Sequence, residues 1–287
     1  MSNAPLIEAH NLAVAFGQGD RTIPVVHGVS FTLGREKLGI VGESGAGKSM
    51  VGRAIMRLSP PGARVTADRL AFRGFDLLAA SEREMMELRG RRIGLILQDP
   101  RYCLNPVTPV GEQIAETFRL HHPGRAGRRE ARERALTLLD AVKIRDPARV
   151  ARLYPHEVSG GMGQRIMIAM ALIAGPDVLI ADEPTSALDV TVRLEVLALL
   201  EELIASRGLG LIFISHDLNL VRHFCDRVVI MCAGRIMETI AAADLDRAQH
   251  PYTRGLLSSL PSIRHRRAFL PVLQRDPAWL RPPEAVS

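Results

Sequence analysis

Eight consecutive residues, Gly42-Glu43-Ser44-Gly45-Ala46-Gly47-Lys48-Ser49, follow the spacing G-x-x-x-x-G-K-S. Glycines at these positions let the backbone turn tightly enough for successive N–H groups to converge on one anion. A helix that opens at Lys48 adds its positive end. The motif is suited to a nucleotide polyphosphate: Lys48 reaches the β- and γ-phosphates, and the Ser49 hydroxyl ligates Mg²⁺. Met50, next in line, is grouped with the phosphate-facing residues. Such a pattern arises by accident in about one chain in a hundred of this length. Here it also follows an apolar strand and precedes a helical stretch, as the chemistry requires.

Two further constellations add to it. Val178-Leu179-Ile180-Ala181 is an apolar run that delivers Asp182 and Glu183 to the end of a strand. There Asp182 can hold a Mg²⁺ shell and Glu183 can orient or deprotonate a water. Alone, an apolar strand ending in two acids is as often structural. Val158-Ser159-Gly160-Gly161-Met162 precedes an apolar helical run and repeats the physics of the first motif: a serine cap, two glycines and a helix N-terminus make an anion site. Alone, it reads equally well as a helix cap with spare glycines.

These residues need a scaffold. Ile7 to Phe16 and Val25 to Leu33 alternate as antiparallel strands around the polar turn 17–20, and Lys37 to Val41 reads as a buried strand entering the glycine loop. A helix is expected from Lys48 to about Leu58, ended by Pro60-Pro61. Strands are expected at Leu70–Arg73 and Ile93–Leu97, with a helix near Ser81–Leu88 between them. Helices Val110–Leu120 and Arg128–Val142 follow. Next come strand Val178–Ala181, helix Thr191–Ser206, strand Leu209–Ile214, helix Leu218–Cys225 and strand Val228–Met231. The alternation implies an α/β fold with a parallel sheet covered on both faces, its sequence divided by a helical insert at about 99–155.

The chain has 287 residues, 47% of them apolar, which suffices for a sizeable core. No apolar run reaches the roughly 20 residues of a spanning helix, and the N-terminus lacks a secretory pattern. Cys103, Cys225 and Cys232 have neither disulfide nor metal-ligand spacing, which points to the cytoplasm. The net charge of +6 is dispersed, with denser runs at 89–92, 125–134 and 264–267, the second of which interleaves Glu130 and Glu133 as on a solvated helix face. No nucleic-acid partner follows from it.

Taken in order, the motifs resemble those of the ABC ATPases. Ser159-Gly160-Gly161-Met162 is similar to the family signature, usually written LSGGQ. Gln98 stands where the family has a glutamine that senses Mg²⁺ and the lytic water. Ser186-Ala187-Leu188-Asp189 matches the loop that crosses the dimer interface, and His216 falls at the histidine that contacts the γ-phosphate. Phe16 stands where an aromatic ring stacks on adenine, although one aromatic in a strand is equally a core residue. The resemblance implies a P-loop NTPase core of ABC type with an N-terminal antiparallel β subdomain and a helical subdomain. It implies catalytic roles for Glu183, His216 and Gln98, and a Mg²⁺ site at Ser49, Gln98 and Asp182, partly through water. Two ATPase chains would sandwich ATP, the signature of one closing over nucleotide held by the other.

Tyr154-Pro155-His156-Glu157, Gln98-Asp99-Pro100 with Leu104-Asn105-Pro106, and His250-Pro251-Tyr252-Thr253-Arg254-Gly255 resemble the dipeptide, oligopeptide and nickel importer ATPases over roughly Leu6 to Pro261. That implies an ATPase domain at 1–260 and a C-terminal extension at 261–287. The implied partners are a second ATPase subunit (a paralogue or another copy), two membrane permeases docking near Gln98–Pro106, and a periplasmic or extracellular solute-binding protein. The implied location is peripheral, at the cytoplasmic face of the inner membrane. Gly163 departs from the arginine common in the family, and Val158 from the usual leucine. No cysteine follows Cys232, so no iron–sulfur centre is expected. The alternatives are a non-transport ABC factor, a non-enzymatic binding subunit, and the ATPase-like component of phosphonate-degrading complexes, which shares the HPYT-type ending. Lys48→Ala is expected to weaken nucleotide binding by about tenfold or more, by loss of a charge-assisted contact, as a titration with labelled ATP will report.

Overall fold

The computed structural model describes residues 4–17, 22–122, 127–259, 276 and 279. In chain order the strands are β1 (Ile7–Phe16), β2 (Ile23–Leu33), β3 (Lys37–Val41), β4 (Ala63–Thr66), β5 (Arg69–Phe72), β6 (Phe75–Asp76), β7 (Ile93–Ile96), β8 (Val178–Asp182), β9 (Gly210–Ser215), β10 (Arg227–Cys232) and β11 (Arg235–Ala241). The helices are α1 (Lys48–Ile55), α2 (Glu82–Leu88), α3 (Pro100–Cys103), α4 (Val110–His121), α5 (Arg128–Ala141), α6 (Pro147–Val150), α7 (Gly160–Leu172), α8 (Val190–Arg207), α9 (Leu218–Phe224) and α10 (Pro251–Ser259). The chain forms two compact units, one of residues 1–78 and 213–287 and the other of residues 79–212. None of the described helices is long and apolar enough to cross a membrane.

The first unit contains an antiparallel sheet in which β1 pairs with β2, β4 and β5, and β5 with β6. β1 buries Ile7, Ala9, Leu12 and Val14, and β2 buries Val26, Val29, Phe31 and Leu33. In both strands one face is apolar, so the alternation in the sequence fixes which side turns inward. In the same unit β10 pairs parallel with β3, Val229 opposite Ile40, and antiparallel with β11. β3 and β10 are buried almost throughout, as suits strands covered on both faces. Ala233 and Gly234, both at positive φ (45° and 78°), make a two-residue turn between β10 and β11. Left-handed backbone at both central positions matches the twist of a hairpin.

In the second unit β7 and β8 are parallel, in register from Ile93↔Val178 to Ile96↔Ala181. α3 to α6 lie in the helical stretch between β7 and α7. α8 buries Val196, Leu197, Leu199, Leu200, Leu203 and Ile204 along one face, the helical stripe expected from its sequence. Side chains cap several helices: Ser81 and Glu84 form a reciprocal capping box on α2, and Asp99, Asp146, Ser159 and Asp189 each accept from a first-turn N–H.

Most expected elements are present within two residues of their bounds. α1 is shorter than expected, ending at Ile55, because Arg57 turns into the left-handed region at φ 50° before Pro60 is reached. β11 was not expected. It lies at the sheet edge with only half-buried and exposed residues, so its sequence carries no apolar alternation. β4 is likewise partly exposed and polar. Residues 18–20 of the turn after Gly17, like residues 261–275 of the C-terminal stretch, lie outside the described residues.

At the start of β10, Arg227 forks onto Glu36, with Nη2–Oε1 at 2.7 Å and Nε–Oε2 at 3.3 Å. Burial pushes the Glu36 carboxyl up, but the Arg227 hydrogen bond and charge, with the Gly34 N–H, carry it below its ordinary value of 4.5. A carboxyl held low stabilises the fold fully above that value and loses the contribution as pH falls through its folded one. Arg227→Ala is expected to cost about 1 kcal/mol or less at pH 7, since both groups keep a part of their surface in water. In thermal melts its difference from the wild type should shrink as the pH falls below 4.5.

Candidate functional site

The glycine loop runs from the end of β3 into α1, in the first unit. Its backbone is packed where side chains would not fit. A Cβ on Gly42 would stand 2.1 Å from the Met231 carbonyl of β10. Gly47 has φ 87°, and a Cβ there would meet the Val25 carbonyl at 2.8 Å. The β10–β11 turn supports the loop from the same side, since Gly234 N–H donates to Ala46 O at 3.1 Å. Ser44 and Gly45 are exposed, whereas Lys48 is only 5% exposed. The Lys48 ammonium donates to Gly42 O at 2.9 Å and Glu43 O at 3.0 Å. A buried cation held by main-chain oxygens is one to which a phosphate would offer stronger, charged acceptors.

Ala46 N–H donates to Glu43 O and Met50 N–H to Gly47 O, each over 3.1 Å, so the loop closes into the first turn of α1. Ser49 and Met50 are half-buried. No acidic residue lies in that first turn to compete for its positive end. Phe16 is the last residue of β1, half-buried opposite Ile23. His216 is exposed directly after β9. The backbone beyond it is held by Asp217, which donates its N–H to Ser215 Oγ and caps α9 by accepting from Leu220 N–H.

The second unit brings three expected residues to one edge. Ile96 stands opposite Ala181 in the parallel pair, so Gln98 and Glu183 both come two residues beyond matched positions, with Asp182 closing β8. Asp182 is buried, Glu183 half-buried and Gln98 exposed. Glu183 has φ 49°, a left-handed conformation that a non-glycine residue adopts rarely and at an expense of about 1–2 kcal/mol. Its carbonyl accepts both the Ser186 N–H and, at 3.1 Å, the Ser186 hydroxyl. The bend after the strand is therefore locked by the first residue of the Ser186–Asp189 loop.

Ser159 caps α7, and Gly160 and Gly161 form its first turn. The cap is exposed, and Ser159 Oγ accepts from Met162 N–H at 3.3 Å. A Cβ on Gly161 would lie 2.6 Å from Val192 Cγ1, so the α7 backbone packs directly against the Val192 side chain of α8. The preceding turn is held by the Glu157 carboxylate, which accepts from Tyr154 N–H at 2.8 Å. Asp99, Pro100, Ser159, Gly163 and Leu188 are among the residues lining a cavity of about 540 Å³. Gly163, where the family commonly has arginine, faces Pro100 at 3.1 Å from its virtual Cβ. Any side chain there would press on α3.

The sequence did not single out Gln113, Arg165 or the use made of Tyr252. Gln113 is buried and pins the loop before α4: its amide donates to Asn105 O and Thr108 O and accepts from Asn105 N–H. Val107 on that pinned loop is 78% exposed, and Tyr102 on α3 just before it 89%. Arg165 spans from the carbonyls of Val142 and Lys143 to Glu195 of α8, at 2.7 Å. These residues have ordinary types at unremarked spacings, and only their contacts reveal them. The oxygen donors Ser49, Gln98 and Asp182 suit a hard cation. No cluster of three or more His, Cys, Asp or Glu among the described residues makes a self-sufficient cage. Mg²⁺ takes few protein ligands and completes its shell with phosphate and water. Gly161→Val is expected to drive α7 and α8 apart and to cost about 1–3 kcal/mol, measurable as a lower denaturation midpoint at an unchanged slope.

The family model described as "ABC transporter" matches residues 26–186. The chain is 46% identical over 282 residues to a probable peptide ABC transporter ATP-binding protein of Sinorhizobium fredii, covering 97% of this chain and 84% of that protein. It is 43% identical over 282 residues to the dipeptide transport ATP-binding protein DppD of Bacillus subtilis, with the same shares covered. Among solved structures, the dimeric post-hydrolysis state of the ATP-binding cassette MJ0796 bound to ADP and Pi superposes with a TM-score of 0.70. It is 26% identical and covers 82% of this chain and 98% of that one. Matched through its phosphate loop and signature by the family model and over nearly its whole length by these relatives, the chain belongs to the ABC transporter ATP-binding family.

Proposed function

We propose that the chain binds and hydrolyses ATP, with Mg²⁺, to power import of peptides or a related small solute, nickel chelates included. The observation that carries this reading is the buried Lys48 ammonium, held on two loop carbonyls beneath an exposed glycine turn. Such an arrangement has no structural need of a lysine, and it suits a triphosphate. In this reading residues 42–50 cradle the phosphates and Phe16 stacks on the adenine. Ser49, Asp182 and Gln98 hold Mg²⁺, partly through water. When bound, the ion neutralises phosphate charge. Glu183 takes the proton of the attacking water, and His216 contacts the γ-phosphate as charge builds on it. Ser159, Gly160, Gly161 and Met162 close over nucleotide held by the other subunit.

That other subunit is a paralogue or a second copy. ATP can drive transport only through its greater affinity for the closed pair than for the open one. Two permeases dock at the Gln98–Pro106 segment, where Tyr102, with Val107 just beyond, offers exposed surface, and a periplasmic or extracellular solute-binding protein delivers the solute. The subunit sits peripherally on the cytoplasmic face of the inner membrane. Residues 1–260 act as the ATPase domain, with the helical part at about 99–155, and residues 261–287 as an extension. The named functions of the relatives support the peptide assignment.

Glu183→Gln keeps the size and hydrogen bonding of the side chain and removes its basicity. Steady-state hydrolysis in the assembled complex is expected to fall by about 10²- to 10⁴-fold, while labelled ATP still binds and still promotes dimerisation. Unchanged turnover would remove Glu183 from its role.

A further inference from the structure

Among the described residues Tyr252 is the bulkiest side chain that is wholly buried, although it is only the second residue of α10. Its backbone is fixed from β11. The Glu238 carboxylate accepts from Gln249 N–H at 2.7 Å and His250 N–H at 3.3 Å, and Tyr252 N–H donates to His250 Nδ1 at 3.1 Å. Trp279 closes on the edge of the ring, with centroids 5.8 Å apart. A phenylalanine would fill the same space. What packing leaves unexplained is the hydroxyl.

That hydroxyl donates to Glu43 Oε2 over 3.3 Å. The Glu43 backbone and the Cys232 side chain also act on it. Glu43 is the second residue of the phosphate loop, and its carbonyl already accepts from both Lys48 Nζ and Ala46 N–H. One loop residue thus joins the phosphate-binding lysine, the loop backbone and α10. A carboxylate at this position has the same sign as a triphosphate and repels it unless it is turned away. We infer that Tyr252 is a positioning residue for nucleotide binding: its hydroxyl holds the Glu43 carboxylate on the buried side of the loop, away from the incoming phosphates. The inference rests on the reading that this loop binds ATP.

The test uses the full chain and titration with labelled ATP. Tyr252→Phe is expected to weaken binding roughly three- to tenfold, the effect of one hydrogen bond. If the loss comes from a released charge, Glu43→Gln added to Tyr252→Phe restores the affinity of Glu43→Gln alone. A role in packing alone would leave the double variant as weak as Tyr252→Phe. Tyr252→Phe binding ATP as the wild type does, or a double variant showing no recovery, would overturn the role of Tyr252. A wild-type chain that binds no ATP would instead sink the underlying assignment, and this one with it.

Discussion

Everything in the nucleotide-binding half depends on holding a short run of backbone in place before any ligand arrives. Amide dipoles attract phosphate only while they converge, and each glycine of the loop loses more conformational entropy on ordering than any other residue would. The structure supplies the restraint through close approach. Gly42 lies against the Met231 carbonyl and Gly47 against that of Val25, at separations where a methyl group would collide. The Ala233-Gly234 turn adds a hydrogen bond to Ala46 from below. Glycine here serves both to bend and to admit neighbouring main chain.

The second unit solves a different problem, the placement of acids at the end of a buried strand. Five consecutive buried residues fix β8, and the register with β7 then sets how far Gln98 and Glu183 project beyond matched positions. The signature turn depends on the same economy of volume, because Gly161 lets α7 settle onto Val192 of α8. One turn further along α7, Arg165 ties the same pair of helices through Glu195. The capped and exposed N-terminus of α7 is thus mounted on a rigid pair of helices.

Much of this was legible in the sequence, for identifiable reasons. The phosphate loop, the acidic strand end and the serine-glycine turn are local: their chemistry depends on residues adjacent in the chain, and each motif carries its own helix or strand context. The strands β1, β3 and β8 were legible because burial leaves a clear apolar pattern. β11 was not, since an edge strand with exposed faces obeys no such pattern, and Ala233 is not a residue type that announces a left-handed turn. Gln113 and Tyr252 were hidden for another reason. Their importance lies in partners distant in sequence, Glu43 being 209 positions from Tyr252, and residue type alone does not reveal a partner. The family resemblance placed the HPYT passage without saying what its tyrosine touches.

The left-handed backbone at Glu183 has an evolutionary corollary. At such a φ, glycine, asparagine and aspartate are accommodated far more readily than β-branched residues. Drift at this position is therefore channelled toward small or polar replacements that leave the bend intact; glycine and asparagine would also remove the base proposed here, whereas aspartate would keep a carboxylate. Under the role proposed for Glu183, a descendant that retains nucleotide yet no longer consumes it would be one substitution away, whereas valine or isoleucine would first disturb the fold. In the pair proposed above, that bias would favour assemblies in which one member turns over and the other only holds.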